Sequence, residues 1–246
     1  DKQIMELQIN AAEMLSNNIV LMSGIAAILS IPIFYRALNK EWMKRPYRIL
    51  PISGPFRRYI YVILSAVGMT MAFNLAVNAF ELFRYDIDYA QLARGIYSEP
   101  LFMQVVVIGF FMPVVEELMF RGLIYERLGQ YGNETARVIL TSILFGVYHG
   151  TLIQIAYAFV FSILMIFAYK RTGTFWAPVL FHIASNLSSL VLNQMNPLSS
   201  MGYSIGIVAF FLLGMIGLYG LKQGKFYKII PLQRFSMEKN PVECDE

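Results

Sequence analysis

Three short stretches carry side chains able to move protons or stabilise charge in otherwise apolar surroundings. PVVEELMFRGLIYER, residues 113–127, holds Glu116, Glu117 and Arg121; FGVYH runs from Phe145 to His149, and HIASN from His182 to Asn186. His149 and His182 are the chain's 2 histidines. On a helix, Glu117 and Arg121 stand i,i+4 and can pair. Glu116 is turned about 100° from Glu117 and stays outside that pair. A carboxylate left free in a low-dielectric setting is a candidate general base. Phe145 and His149 share the same spacing, so the ring can restrict the imidazole's rotamers. His182 and Asn186 repeat it, aiming imidazole and carboxamide at one volume, and two neutral donors converging are what an oxyanion hole requires. Pro113 removes a backbone hydrogen bond one turn before Glu116, which allows a kink that admits water.

Each stretch also has a plain reading. Glu116, Glu117 and Arg121 could form a charge cluster at a membrane surface, and His149, His182 and Asn186 could be interhelical hydrogen-bonding contacts. Ser185, Ser188 and Ser189 suggest a serine hydrolase only weakly. None lies in a G-x-S-x-G elbow, and Ser185 is expected off the His182 face.

The elements that must position these groups are apolar helices. Of the 246 residues, 57% are hydrophobic and 15% charged, against about 45–50% and about 25% in globular domains. Seven apolar segments, roughly 18–35, 59–80, 101–128, 136–149, 151–169, 175–192 and 201–221, approach the length that crosses about 30 Å of hydrocarbon. The expected fold is all-α, a polytopic transmembrane bundle of about seven helices forming one integral membrane domain over 1–246. The chemistry concentrates in 101–192. The segment before Thr151 is short and is expected to break at Gly150. Gly202, Gly206, Gly214, Gly217 and Gly220 give small-residue spacing for close helix packing in the last segment. The polar stretch 81–99 reads as a loop without chemical signature.

Ionisable groups inside a bilayer are costly and usually functional. All but Lys2, Arg84 and Arg94 of the 20 basic residues fall on one side of this arrangement. The positive-inside rule makes that side cytoplasmic, with the C-terminus inside. Residue 1 would then lie outside without a signal peptide, which suggests an eighth helix upstream. The bases are spread between apolar runs, so membrane topology explains the net charge of +4 better than nucleic-acid binding. Cys244 is the single cysteine, so no intrachain disulfide can form. Counting helical rise from Arg127, Arg137 and Arg171 puts Glu116, His149 and His182 at a common depth of about 16–18 Å.

EELMFR, FGVYH and HIASN, in this order and each within an apolar segment, resemble the Glu-Glu-x-x-x-Arg, Phe-x-x-x-His and His-x-x-x-Asn motifs of the CPBP family. This is the CAAX protease and bacteriocin-processing (Abi) group of intramembrane endopeptidases, which includes the type II CAAX prenyl endopeptidases. The resemblance implies a helical membrane protease whose site opens to the cytoplasm and acts on a membrane-associated peptide or protein. It implies that Glu116 and His149 activate water, that His182 and Asn186 hold the oxyanion, and that Glu117 and Arg121 position the base and bind the substrate end. The substrate could be prenylated, or a peptide pheromone or bacteriocin precursor. A catalytic zinc remains open, with Glu116, His149 and His182 as its ligands, although a metal-free mechanism is favoured because Asn186 is a poor zinc ligand. The competing functions are a non-enzymatic immunity or scaffold protein and a proton-coupled transporter.

Overall fold

The computed structural model describes residue 5 and residues 18–43, 47–51, 55–195, 197–224 and 226–231. Lys2, Cys244 and the basic residues Lys44, Arg45, Lys225, Arg234 and Lys239 lie outside them. The chain is all-α apart from one small ribbon. Its helices are α1 (Ile19–Met43), α2 (Pro55–Ala79), α3 (Ile87–Ser98), α4 (Leu101–Leu128), α5 (Glu134–Tyr148), α6 (Leu152–Thr172), α7 (Trp176–Asn193) and α8 (Ser200–Gln223). Strands β1 (Tyr47–Pro51) and β2 (Tyr227–Pro231) pair antiparallel.

Five helices, α1, α2, α4, α6 and α8, are long and apolar enough to cross a membrane. α5, which His149 caps, and α7, which carries His182, are not. α5 has 15 residues, about 22 Å of rise, and α7 is interrupted by His182, Asn186 and three serines. Both can be short and polar because their working faces turn inward. α5 stops at His149, and Gly150 reverses the chain at φ +85°, a left-handed conformation suited to glycine. The break expected at Gly150 is present. α6 likewise ends on Gly173 at φ +68°.

Contacts between helix ends gather the basic residues on one face. Arg127 bonds Glu41 (3.3 Å), Lys170 bonds Glu134 (2.9 Å), and Arg171 donates to the Leu221 carbonyl (3.0 Å). The β1–β2 ribbon lies on this face too, tied by the Tyr227 hydroxyl donating to the Lys170 carbonyl. Arg84, Asp86, Asp88, Arg94 and Glu99 mark the opposite face.

The stretch expected to be a loop contains α3. Asp86 caps it, accepting from Tyr89 N (3.0 Å) through one oxygen and from Ile153 N (2.8 Å) through the other. At its far end, Gln104 Nε2 donates to the carbonyls of Tyr97 (3.2 Å) and Glu99 (2.7 Å). Both anchors are buried, so α3 is fixed to the starts of α6 and α4.

The glycines of α8 face α2. A Cβ on Gly217 would meet Ser65 Oγ at 2.5 Å and the Tyr61 carbonyl at 2.8 Å; one on Gly214 would meet the backbone of Met69 at 3.0 Å. Such backbone approach is how small residues allow dense packing in apolar helices. Substituting Gly217 by Leu is expected to wedge α8 from α2 and cost about 1–3 kcal/mol or more. The check is the melting temperature in detergent. Gly95→Ala, at a position with open space around its Cβ, should leave it unchanged or slightly raised.

Candidate active site

The site begins with an irregular helix. Within α4 the hydrogen bonds of Gln104–Phe111 and Leu118–Ile124 run i→i+5, while Met112–Glu117 between them is α-helical. Such π turns widen a helix and frequently mark functional sites. The irregularity expected at Pro113 therefore takes the form of widened turns on either side of it. Met112 N–H reaches back to the Val107 carbonyl, and Pro113 has no N–H to offer. The Ile108 carbonyl consequently has no helical donor left, and Asn186 Nδ2 from α7 donates to it at 2.8 Å. Proline and asparagine thus lock α7 against α4.

Below this lock the charged groups meet. Arg121 Nη1 donates to Glu117 Oε1 at 2.7 Å, and both side chains are 0% exposed. The same oxygen accepts from His182 Nδ1 at 2.9 Å. His182 therefore carries its Nδ1 proton toward Glu117 and turns Nε2 to Glu116, whose Oε2 lies 3.6 Å away. One imidazole bridges two adjacent carboxylates. Glu116 is outside the Arg121 pair, as its helical angle predicts, but it is not isolated.

His149 is oriented independently. Its Nδ1 lies 2.8 Å from the Phe145 carbonyl. A carbonyl can only accept, so Nδ1 carries a proton, and in the neutral ring Nε2 presents a lone pair. Phe145 touches Arg121 and both histidines. Its ring lies 4.2 Å from the Arg121 guanidinium carbon, 4.8 Å from the His149 ring and 5.7 Å from that of His182. A cation–π contact of this kind stands where Arg121 lacks hydrogen bonds, since its Nε and Nη2 have no hydrogen-bond partner among the described residues. Sequence reasoning gave Phe145 only the role of limiting His149; its contacts to Arg121 and His182 depend on the tertiary fold.

Glu116, His149, His182 and Asn186 line one cavity of about 340 Å³, within the size of small-ligand sites. Glu117 and Arg121 lie beneath it. The depth count for His182 ran through a turn, because Gly173 to Phe175 are not part of α7, yet the tilt of α7 still delivers the ring to Glu117. Ser185, expected off this face, lines the cavity as well, and its buried hydroxyl has no partner among the described residues. Five α3 residues, Tyr89, Leu92, Ala93, Ile96 and Tyr97, form the roof. Burial pushes the Tyr97 phenol up to about 12, with a smaller contribution from Tyr89, so it stands there as a neutral hydroxyl. The cavity extends from Glu116 away from the basic face.

Among the described residues no three His, Cys, Asp or Glu side chains converge as ligands of one ion. The trio Glu116, His149 and His182 shares a cavity without forming such a set, so no step is routed through zinc.

Residues 98–188 match the family model described as type II CAAX prenyl endopeptidase Rce1-like. The chain is also 26% identical over 182 residues to the Bacillus subtilis (strain 168) protein named "Putative membrane peptidase YdiL", which covers 71% of this chain and 70% of that one. No solved structure matches it.

Removing one partner of a buried ion pair leaves the other charge uncompensated, at about 3–5 kcal/mol. Arg121→Met is therefore expected to destabilise strongly in thermal unfolding, and Glu117→Gln combined with Arg121→Met to recover part of the loss. If the double variant's loss equals the sum of the two single losses, the pair is not coupled as drawn.

Proposed function

We propose that the chain is an intramembrane endopeptidase of the CAAX protease and bacteriocin-processing (CPBP) family, in which Glu116 activates the attacking water. The observation that carries this reading is the pair of acceptors at the cavity floor, Glu116 Oε2 and His182 Nε2, 3.6 Å apart. That is too long for a direct hydrogen bond, and a water at the apex of the two can donate to both. Its oxygen is then turned into the cavity, where a scissile carbonyl would lie.

In the reaction, the water oxygen attacks the carbonyl carbon and Glu116 takes its proton. Collapse of the tetrahedral intermediate breaks the C–N bond, and the same proton passes to the leaving nitrogen. His149 Nε2, a free acceptor on the cavity wall, orients the water or receives the amine's hydrogen bond. Asn186 has spent one N–H on Ile108 and keeps a second for the developing oxyanion. His182 can add a donor there only when its Nε2 is also protonated. Glu117 and Arg121 do not reach the substrate in this scheme: Glu117 fixes the orientation of His182, and Arg121 neutralises Glu117. The substrate is a peptide or protein segment held at the bilayer, with the basic face and the C-terminus in the cytoplasm and the cell membrane as its place.

General-base removal typically costs about 10²–10⁴-fold. Glu116→Gln is expected to lose cleavage of a membrane-tethered reporter peptide by at least about that factor, with an unchanged melting temperature. A chelator should leave the wild-type rate unaltered. Retained cleavage in Glu116→Gln would favour the non-enzymatic alternative, and loss of activity on chelation would reinstate zinc.

A further inference from the structure

The cavity has a direction. Its deepest lining residues, Glu116, His182 and Met165, stand near the middle of their helices. The others lie between there and the ends remote from the basic face, among them Ser23, Asn74, Ile108 and Ser189. Ile19 and Tyr148 are half exposed on its rim. On the basic side the floor is shut by fully buried Arg121 and Glu117 and by Leu118, Phe120 and Tyr125, all nearly inaccessible. Nothing of the size of a peptide can approach Glu116 from below without unpacking that layer.

The roof is built for the same direction. α3 carries its lining residues at i, i+3, i+4, i+7 and i+8, one apolar stripe on a short helix whose other side bears Asp88 and Arg94. That is the pattern of a helix lying along a membrane surface. It is pinned at both ends by Asp86 and Gln104, so it overhangs the cavity as a fixed eave.

We infer that the substrate segment reaches Glu116 from the membrane face opposite the basic cluster, passing beneath α3. This rests on the protease reading above. With the basic face cytoplasmic, the route is extracytoplasmic. A prenylated C-terminus is anchored at the cytoplasmic leaflet and is the wrong substrate class for it. The fitting substrate is a membrane-held segment exposed on the outer surface. Apart from Glu116 and the two histidines, the lining is tyrosine, phenylalanine, aliphatic and uncharged polar, so the residues flanking the cut bond are uncharged.

The test uses thiol accessibility in the full chain, in right-side-out and inside-out membrane vesicles, with a small membrane-impermeant methanethiosulfonate as probe. Native Cys244 reports the C-terminal side. In a Cys244→Ser background, Gly95→Cys reports the outer side of α3 and Ser185→Cys the cavity floor; Ser189→Cys serves if Ser185→Cys does not fold. The expected result is reaction of positions 95 and 185 in right-side-out vesicles and of Cys244 only in inside-out ones. Reaction at 185 only in inside-out vesicles, at 185 in neither, or of 95 and Cys244 from the same side overturns the route. The Glu116→Gln assay stands apart. Inverted labelling with an inactive Glu116→Gln sinks the route alone, whereas an active Glu116→Gln sinks the protease reading whatever the labelling shows.

Discussion

A guanidinium and a carboxylate, both fully withdrawn from solvent between apolar helices, set the terms for everything around them. The Arg121–Glu117 pair is tolerable only if the attraction at 2.7 Å and additional contacts offset two desolvation penalties. Glu117 gains a second donor in His182, and Arg121 gains the face of Phe145. These supports come from α7 and α5, so the ion pair organises three helices at once. It also fixes the chemistry. With Glu117 committed to Arg121, His182 is held in one tautomer, and its remaining nitrogen faces Glu116. The carboxylate proposed to react is defined by what its neighbour has already been given.

The scaffold divides into two layers by the same logic. On the basic side, salt bridges and the β1–β2 ribbon close the bundle in a region where water and lipid headgroups lower the cost of charge. Above it, uncharged groups apart from Glu116 and the two histidines line the cavity, and the close approach of α8 to α2 at Gly214 and Gly217 stiffens the wall that carries Thr70, Phe73 and Asn74. Rigidity there matters to the proposed mechanism, because the Glu116–His182 spacing of 3.6 Å leaves little tolerance for a water touching both.

Local spacing was legible in the sequence wherever the contact is made within one helix. Glu117 with Arg121, and Phe145 with His149, meet as i,i+4 neighbours should. The glycines of α8 read correctly as a packing face. α3 was missed although its signals were present: Asp86 before the first apolar residue, then Tyr89, Leu92, Ala93, Ile96 and Tyr97 at helical spacing. Short length and flanking charges made it resemble a loop, and a membrane-surface helix shows only one apolar stripe. Contacts between helices were not legible. The wedge made by Phe145, the bridge made by His182 and the inward turn of Ser185 all depend on how α4, α5 and α7 tilt, which no count along the chain supplies. The shared depth of His182 and Glu116 came out as expected, although the count behind it ran through three residues of turn that add no helical rise.

Asn186 shows why a motif residue need not have a single duty. The widened turn before Pro113 sends Met112 N–H to Val107, and the proline cannot serve Ile108. A buried carbonyl without a donor costs about 1–3 kcal/mol, so some side chain must supply one, and among uncharged side chains an amide offers two N–H groups in a fixed fork. Serine or threonine at this position could satisfy Ile108 or face the cavity, but not both. Aspartate, when ionised, could do neither. Proline on one helix therefore restricts the residue on another to asparagine or a close equivalent, and holds its amide on the wall of the cavity that Glu116 also lines.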